Sequence, residues 1–155
     1  MKIILNFCYR NRFLINSISI LFVFSYFTIA SANEKLPGII EKFKTVSDIK
    51  NEIMKMEQQL SSSLSPTSNF EQYVTLKQKL NSILTKFYHA IEDLENTGVV
   101  IKGIDEGLLD FPSKRFDDEI WLCWKQGETE IKFWHEKDIG FSGRKPISVD
   151  DESLV

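Results

Sequence analysis

The polar side chains near the end of the chain are the ones whose chemistry could support a function. His135 can accept or donate a proton near neutral pH, and its neighbour Glu136 could orient the ring. Arg144 offers a planar guanidinium that suits a carboxylate or a phosphate. Asp110, earlier in the chain, is a second carboxylate that could orient the histidine. We therefore treat His135 as the candidate catalytic residue and Arg144 as the candidate anion clamp.

The same residues allow a structural interpretation. None of the spacings between them is diagnostic of a catalytic or metal-binding motif. Arg144 could form an internal ion pair with Asp110 or Asp105, and His135 could donate to a backbone carbonyl at a strand end. Buried ion pairs perturb pKa values as active sites do, so both interpretations stay open.

Two tryptophans lie close to these polar residues and extend the candidate site. Short alternating runs on either side of Gly127 predict a β-hairpin. With a two-residue turn, Trp121 and Trp134 share its outer face, where they could form a cross-strand aromatic pair. That pair would serve as a contact surface or lie under the C-terminal segment. The candidate ligand-binding residues are therefore Asp110, Trp121, Trp134, His135, Glu136 and Arg144.

The predicted hairpin register divides the remaining side chains between the two faces. Cys123 and Lys132 fall with the two tryptophans, and Cys123 is expected to be a small apolar residue rather than a reactive thiol. The opposite, apolar face is the one expected to pack on the helices, and it holds Ile120, Leu122, Trp124, Ile131, Phe133 and His135.

Four short strands are predicted after Gly98, where the apolar period changes to two. Short turns separate them, which indicates an antiparallel meander. The predicted strands are Val99–Lys102, Leu108–Phe111, Glu119–Lys125 and Thr129–Phe133.

A helical hairpin over residues 36–97 is expected to support this sheet. Apolar residues recur there at steps of three and four, and the serine-rich segment 61–69 interrupts them. Pro37 should kink the first helix or open a new one, and Gly98 should end the second in a left-handed conformation. The apolar seam could be internal to the hairpin or could form a homodimer.

Composition argues against several classes of partner. The formal net charge is −3, and no basic stripe is present, so we expect no nucleic-acid binding. Cys8 and Cys123 stand in very different segments, and two lone cysteines do not make a zinc ligand set. We expect neither a bound metal nor a cofactor.

The first 25 residues form a hydrophobic, signal-like extension, which could also arise from a start codon assigned too early. A basic start, an apolar run over 13–29 and the Ala30-Ser31-Ala32 ending favour export, and 13–32 could act as a membrane anchor. Thr28, however, can cap a helix that begins at Ile29, and cleavage after Ala32 would remove that cap. The cytoplasmic interpretation is therefore kept ahead of export or anchoring.

A set of short motifs resembles the prokaryotic family catalogued as domain of unknown function 2203. The resemblance covers residues 26–147 and rests on Tyr26-Phe27-Thr28, Ala32-Asn33, Leu36-Pro37, Gly98-Val99, Gly107-Leu108, Asp110-Phe111-Pro112, Leu122-Cys123-Trp124-Lys125, Gly127-Glu128, Ile131, Trp134-His135-Glu136 and Gly140-Phe141-x-Gly143-Arg144-x-Pro146. It implies a small soluble protein that starts near Phe27-Thr28, and it implies no reaction or cofactor. The chain departs from the family pattern at Ala30-Ser31, which is expected to weaken the helix cap, and at Phe116-Asp117-Asp118.

These observations predict one α+β domain over residues 26–147, followed by an acidic flexible tail over 148–155. Its fold is a kinked antiparallel helical hairpin packed on a small antiparallel sheet of about four strands. The leading functional hypothesis is a non-catalytic module that holds a small anionic ligand or a protein partner at the C-terminal hairpin and loop. The alternatives are a small enzyme that uses His135 and Arg144, and an exported or membrane-anchored coiled-coil protein of the cell envelope.

Overall fold

The structure, a computed structural model, describes residues 26–62, 69–115 and 118–148. A helical hairpin comes first, made of α1 (Ile29–Ser62) and α2 (Phe70–Glu95). An antiparallel sheet of five strands follows, in the order β1-β2-β3-β4-β5. The strands are β1 (Val100–Gly103), β2 (Leu108–Arg115), β3 (Asp118–Lys125), β4 (Phe133–Glu136) and β5 (Lys145–Pro146). The α+β fold predicted from the sequence is confirmed.

Helix α1 begins where the sequence predicts, at Ile29, and it carries a complete N-terminal cap. The amide of Ser31 donates to Thr28 Oγ1 over 3.1 Å, and the amide of Thr28 donates to Ser31 Oγ over 2.9 Å. This reciprocal pair is a capping box in which serine replaces the usual glutamate. Ser31 supplies the returning bond itself, and no acidic residue lies in the first turn of α1, so the expectation that Ala30-Ser31 weakens the cap stays a prediction.

The segment before α1 is part of the core. Phe27 is buried, its ring packs edge-on against Phe111 at 5.2 Å, and its amide donates to the carbonyl of Pro112 over 2.7 Å. Pro37 lies inside α1, so no new helix starts there. Helix α2 is followed by Gly98 at a φ of 94°, as predicted, and an added Cβ there would lie 3.2 Å from the Phe27 ring.

The predicted strand Thr129–Phe133 is wrong, because the connection between β3 and β4 runs from Gln126 to Lys132 and is not a two-residue turn. Two contacts hold this connection. The amide of Ile131 donates to Asn33 Oδ1 on α1 over 2.7 Å, and the indole of Trp124 donates to the carbonyl of Glu128 over 2.8 Å. Ile131 is therefore tied to the helix rather than to β3, and β4 starts at Phe133.

The change in register moves side chains to the opposite face of the sheet, since each one-residue shift reverses every side chain of a strand. Leu122 lies opposite Trp134, and Trp121 lies opposite His135. The predicted Trp121–Trp134 pair is therefore wrong: Trp134 belongs to the inner face and His135 to the outer face. The inner face packs on the helices and contains Ile101, Leu109, Phe111, Ile120, Leu122, Trp124 and Trp134.

Several expectations fall on parts of the chain that the structure does not describe. These are the hydrophobic segment 1–25, most of the helix connection, the Phe116-Asp117 turn and the tail from residue 149 onward. Among the described helices, none combines the length and the apolar character needed to cross a bilayer.

Candidate binding site on the outer face of the sheet

Strands β2, β3 and β4 place five side chains in two adjacent rows on the outer face. Asp110, Cys123 and Phe133 form one row, because Cys123 lies opposite both of the others. Trp121 and His135 lie opposite each other in the next row. The sheet thus brings together five side chains from three strands, and each of them alternates with core residues on its strand.

A buried carboxylate–imidazole pair is the centre of this face. Asp110 Oδ2 lies 3.0 Å from His135 Nε2, and each side chain is only 1% exposed. His135 Nδ1 lies 2.8 Å from the backbone carbonyl of Glu136, which can only accept, so Nδ1 must carry a hydrogen. The Nε2–Oδ2 contact then contains one further proton, held by either partner.

Burial raises the pKa of the Asp110 carboxyl above its ordinary value, because desolvation disfavours the charged form. The neighbouring His135 opposes this shift through its charge and its hydrogen bond. Lys102 opposes it more weakly from β1, with its Nζ 3.9 Å from Asp110 Oδ2. Asp110 Oδ1 is buried and has no hydrogen-bond partner among the described residues.

Trp121 covers this pair from the side. Its ring stacks on the His135 ring, with centroids 6.4 Å apart and planes inclined by 24°. Lys102 Nζ lies 4.3 Å from the centre of the Trp121 ring, a cation–π contact. The indole N–H of Trp121 is buried and, within the described part of the chain, donates to nothing.

Cys123 is a buried structural thiol. Desolvation, followed by the charge of Asp110, raises the pKa of the Cys123 thiol to about 12. A thiol with this pKa is almost entirely protonated at neutral pH, so it is a poor nucleophile. The structure thus agrees with the apolar role that the sequence indicates.

Arg144 lies at the edge of the same face, just after the short 3₁₀ turn Phe141–Gly143. Its guanidinium is 4.3 Å from the centre of the Phe133 ring and 4.6 Å from that of Phe141. The guanidinium forms one hydrogen bond among the described residues, from Nη1 to Glu128 Oε1 over 3.2 Å. The expected internal partner, Asp110 or Asp105, is thus replaced by Glu128, and Asp105 pairs with Lys50 instead.

The remaining candidates lie away from this cluster. Trp134 is buried on the inner face, with Arg115 and Lys145 against its ring at 5.0 and 5.1 Å. The Glu136 carboxylate is exposed and pairs with Lys145 over 3.2 Å, so Glu136 orients His135 through its backbone carbonyl and not through its side chain. In the described ranges, no group of three or more metal-ligating side chains is arranged around a common point.

Four further residues contact Asp110 or Arg144 and were not selected from the sequence as candidates: Lys102, Glu128, Phe133 and Phe141. For Lys102 a signal was present, because it alternates with Ile101 on a predicted strand. For the others there was none, since their positions depend on the seven-residue connection before β4 and on the turn before β5.

All the residues of this face lie within a segment that matches a known protein family. A family model with the description Uncharacterized conserved protein (DUF2203) matches residues 25–147. The chain belongs to this family. The match confirms the resemblance that rests on the short motifs. It spans the whole outer-face cluster, from Lys102 to Arg144. Neither the curated proteins nor the solved structures contain a significant match to this chain.

Proposed function

We propose that this chain is a non-catalytic binding module that holds a small anion, a carboxylate or a phosphate, at Arg144. The observation that carries the proposal is the placement of the guanidinium. It contacts the rings of Phe133 and Phe141 and forms one hydrogen bond, to Glu128, among the described residues. A guanidinium has five N–H donors, so most of them remain for a ligand.

The two aromatic contacts favour this use of Arg144. They restrict the side chain before a ligand arrives, so less conformational entropy is lost on binding. The side chain is 28% exposed, which leaves the guanidinium within reach of solvent while part of it is desolvated. A planar fork in such a position can bind a carboxylate or phosphate through two parallel hydrogen bonds.

Glu128 is the internal competitor for this site. Its carboxylate is 22% exposed and reaches Arg144 through a single long bond. Its other oxygen accepts from the amide of Lys125 over 3.0 Å, which fixes it beside the turn. A ligand anion must therefore share the guanidinium with Glu128, which predicts modest affinity in the wild-type protein.

The geometry favours a positioning role for His135 over the enzymatic alternative. Both ring nitrogens already face partners, Asp110 Oδ2 and the Glu136 carbonyl, and the ring is shielded from solvent. A general acid or base must reach a substrate proton within hydrogen-bond distance. To reach a substrate, His135 would have to leave one of these partners, whereas anion binding at Arg144 leaves the buried pair in place.

Calorimetric titration of the full chain with inorganic phosphate and with hexanoate tests the proposal. Arg144→Ala should abolish binding of both anions, and Arg144→Lys should weaken it at least about 5-fold, because lysine lacks the planar fork. Glu128→Gln should strengthen binding severalfold, because it removes the competing charge. Lys44→Ala, which deletes a charge on an exposed part of α1, is the matched control and should change nothing. Equal affinities for wild type and Arg144→Ala, or no binding by wild type, would overturn the proposal.

A further inference from the structure

Two buried polar atoms on the outer face lack partners among the described residues: Asp110 Oδ1, an acceptor, and Trp121 Nε1, a donor. Asp110 is fully shielded from solvent as a residue. Leaving a buried donor or acceptor unpaired is unfavourable, because the group has lost its hydrogen bonds to water. In native proteins such groups are usually hydrogen-bonded, by ordered water or by a ligand where the protein offers no partner. We therefore expect a bound group to contact Asp110 Oδ1 and Trp121 Nε1.

The register places the two residues within reach of one small group. Asp110 lies opposite Cys123, and Trp121 is two residues along the same strand on the same face. Such diagonal neighbours have Cβ atoms about 7 Å apart, a separation that an aromatic side chain spans. Lys102 contacts both, with its Nζ 3.9 Å from Asp110 Oδ2 and 4.3 Å from the Trp121 ring centre.

We propose that Asp110 Oδ1 and Trp121 Nε1 form a subsite for a hydroxyl group of the ligand. This inference rests on the anion site proposed at Arg144 and defines the ligand class as a polyhydroxylated organic anion, such as a sugar acid. A hydroxyl both donates and accepts, so one such group satisfies the carboxylate and the indole N–H together. The side chain of Lys102 lies beside the proposed subsite and is 40% exposed, so it has room in solvent to rotate away when the group enters.

The spacing between the two subsites supports one ligand that reaches both. Asp110, Cys123 and Phe133 lie side by side on three successive strands, and Arg144 lies over Phe133. Neighbouring strands are about 4.8 Å apart, so Asp110 and Phe133 are separated by about 10 Å. An extended six-carbon hydroxy acid has a comparable reach, with its carboxylate at Arg144 and a distal hydroxyl at Asp110.

Calorimetric titration of the full chain with gluconate and hexanoate tests this inference, because the two carboxylates have the same carbon chain and charge and differ in their hydroxyls. Gluconate should bind at least about 10-fold more tightly, since its hydroxyl would give hydrogen-bond partners to two buried polar atoms that hexanoate leaves unpaired. Trp121→Phe keeps an aromatic ring but removes the N–H, so it should reduce that preference severalfold and leave hexanoate binding unchanged. Asp110→Asn should reduce it as well. Trp134→Phe is the matched control, since that indole lies on the inner face.

The outcomes separate this inference from the proposal on which it rests. If hexanoate and phosphate bind at Arg144 but gluconate binds no more tightly than hexanoate, the hydroxyl subsite is overturned and the anion site stands. A gluconate preference that survives both Trp121→Phe and Asp110→Asn also overturns the subsite. If none of the three anions binds, the proposed function fails and the subsite fails with it.

Discussion

Asp110 Oδ2 and His135 Nε2 lie 3.0 Å apart in a part of the sheet where each side chain is 1% exposed. The pair joins β2 to β4 across the intervening strand β3, so it fixes the relative positions of three strands. Its two partners carry one shared proton between them, and the second nitrogen of the imidazole donates to the Glu136 carbonyl. This arrangement stabilises the surface on which Arg144 and Trp121 are presented.

Removal of one partner of this pair should be costly, because the other is left buried without compensation. His135→Ala should lower the free energy of unfolding by about 3 kcal/mol or more. The double variant Asp110→Ala/His135→Ala should lose less than the sum of the single variants, which urea denaturation would measure as a coupling energy. Strictly additive losses would show that the two side chains do not interact in solution.

Asp110 should also give the protein a distinctive dependence on pH. Its pKa is raised in the folded state, so the folded protein retains this proton to a higher pH than the unfolded chain does. The contribution of the group to stability is therefore complete below the ordinary value of 3.8 and is lost as the pH rises through the higher, folded-state pKa. The difference in unfolding free energy between wild type and Asp110→Asn, measured from pH 3 upward, should shift against wild type as the pH increases. A shift in the opposite direction would indicate a lowered pKa.

The Cys123 thiol should be unreactive while the protein is folded. Its raised pKa of about 12 and its burial predict negligible modification by a disulfide reagent at pH 8 in the Cys8→Ser variant, where it is the sole remaining cysteine. Addition of denaturant should expose the thiol and give stoichiometric reaction. Rapid modification under native conditions would contradict the buried position of Cys123.

Phe27 should contribute much of the stability at the N-terminal edge of the fold. Phe27→Ala removes a buried ring that packs on Phe111 and lies against Gly98, so the loss should be about 3 kcal/mol or more. The matched control is Phe70→Ala, since Phe70 is 68% exposed and the loss of its ring should change stability little. Similar melting temperatures for the two variants would place Phe27 outside the core.

Loss of the capping box at the start of α1 should lower the stability less than loss of the Phe27 ring does. Thr28→Ala should lower the free energy of unfolding by about 1 kcal/mol, because it removes the oxygen that accepts the Ser31 amide. Ser31→Glu should retain the stability of wild type, since glutamate can return the bond to the Thr28 amide as serine does. Thermal denaturation of both variants would check this. Equal losses of stability in both would show that glutamate cannot replace Ser31 in the bond to the Thr28 amide.

Local signals in the sequence predicted the features that depend on neighbouring residues. The helix start at Thr28, the left-handed Gly98 and the antiparallel meander all follow from short-range rules of capping, turn geometry and apolar period. The register of β4 does not, because it depends on Asn33, which lies almost a hundred residues before the Ile131 amide that it binds. An error of one residue there was enough to exchange the faces of Trp134 and His135.

The sequence predicted which residues the candidate site contains better than it predicted which residues they contact. Asp110, Trp121, His135 and Arg144 could be selected because their side chains carry chemistry that a core does not need. Their actual partners could not, since Lys102, Glu128 and Phe141 come together with them only once the long connections before β4 and β5 have folded.

The most direct test of the anion site is nuclear magnetic resonance of the arginine side chains during a titration of the full chain with inorganic phosphate. The Nε–H resonance of Arg144, assigned from its disappearance in Arg144→Lys, should shift progressively and saturate, and Glu128→Gln should reach saturation at a lower phosphate concentration. An Arg144 resonance that stays fixed throughout the titration, while the protein remains folded, would contradict the proposed function.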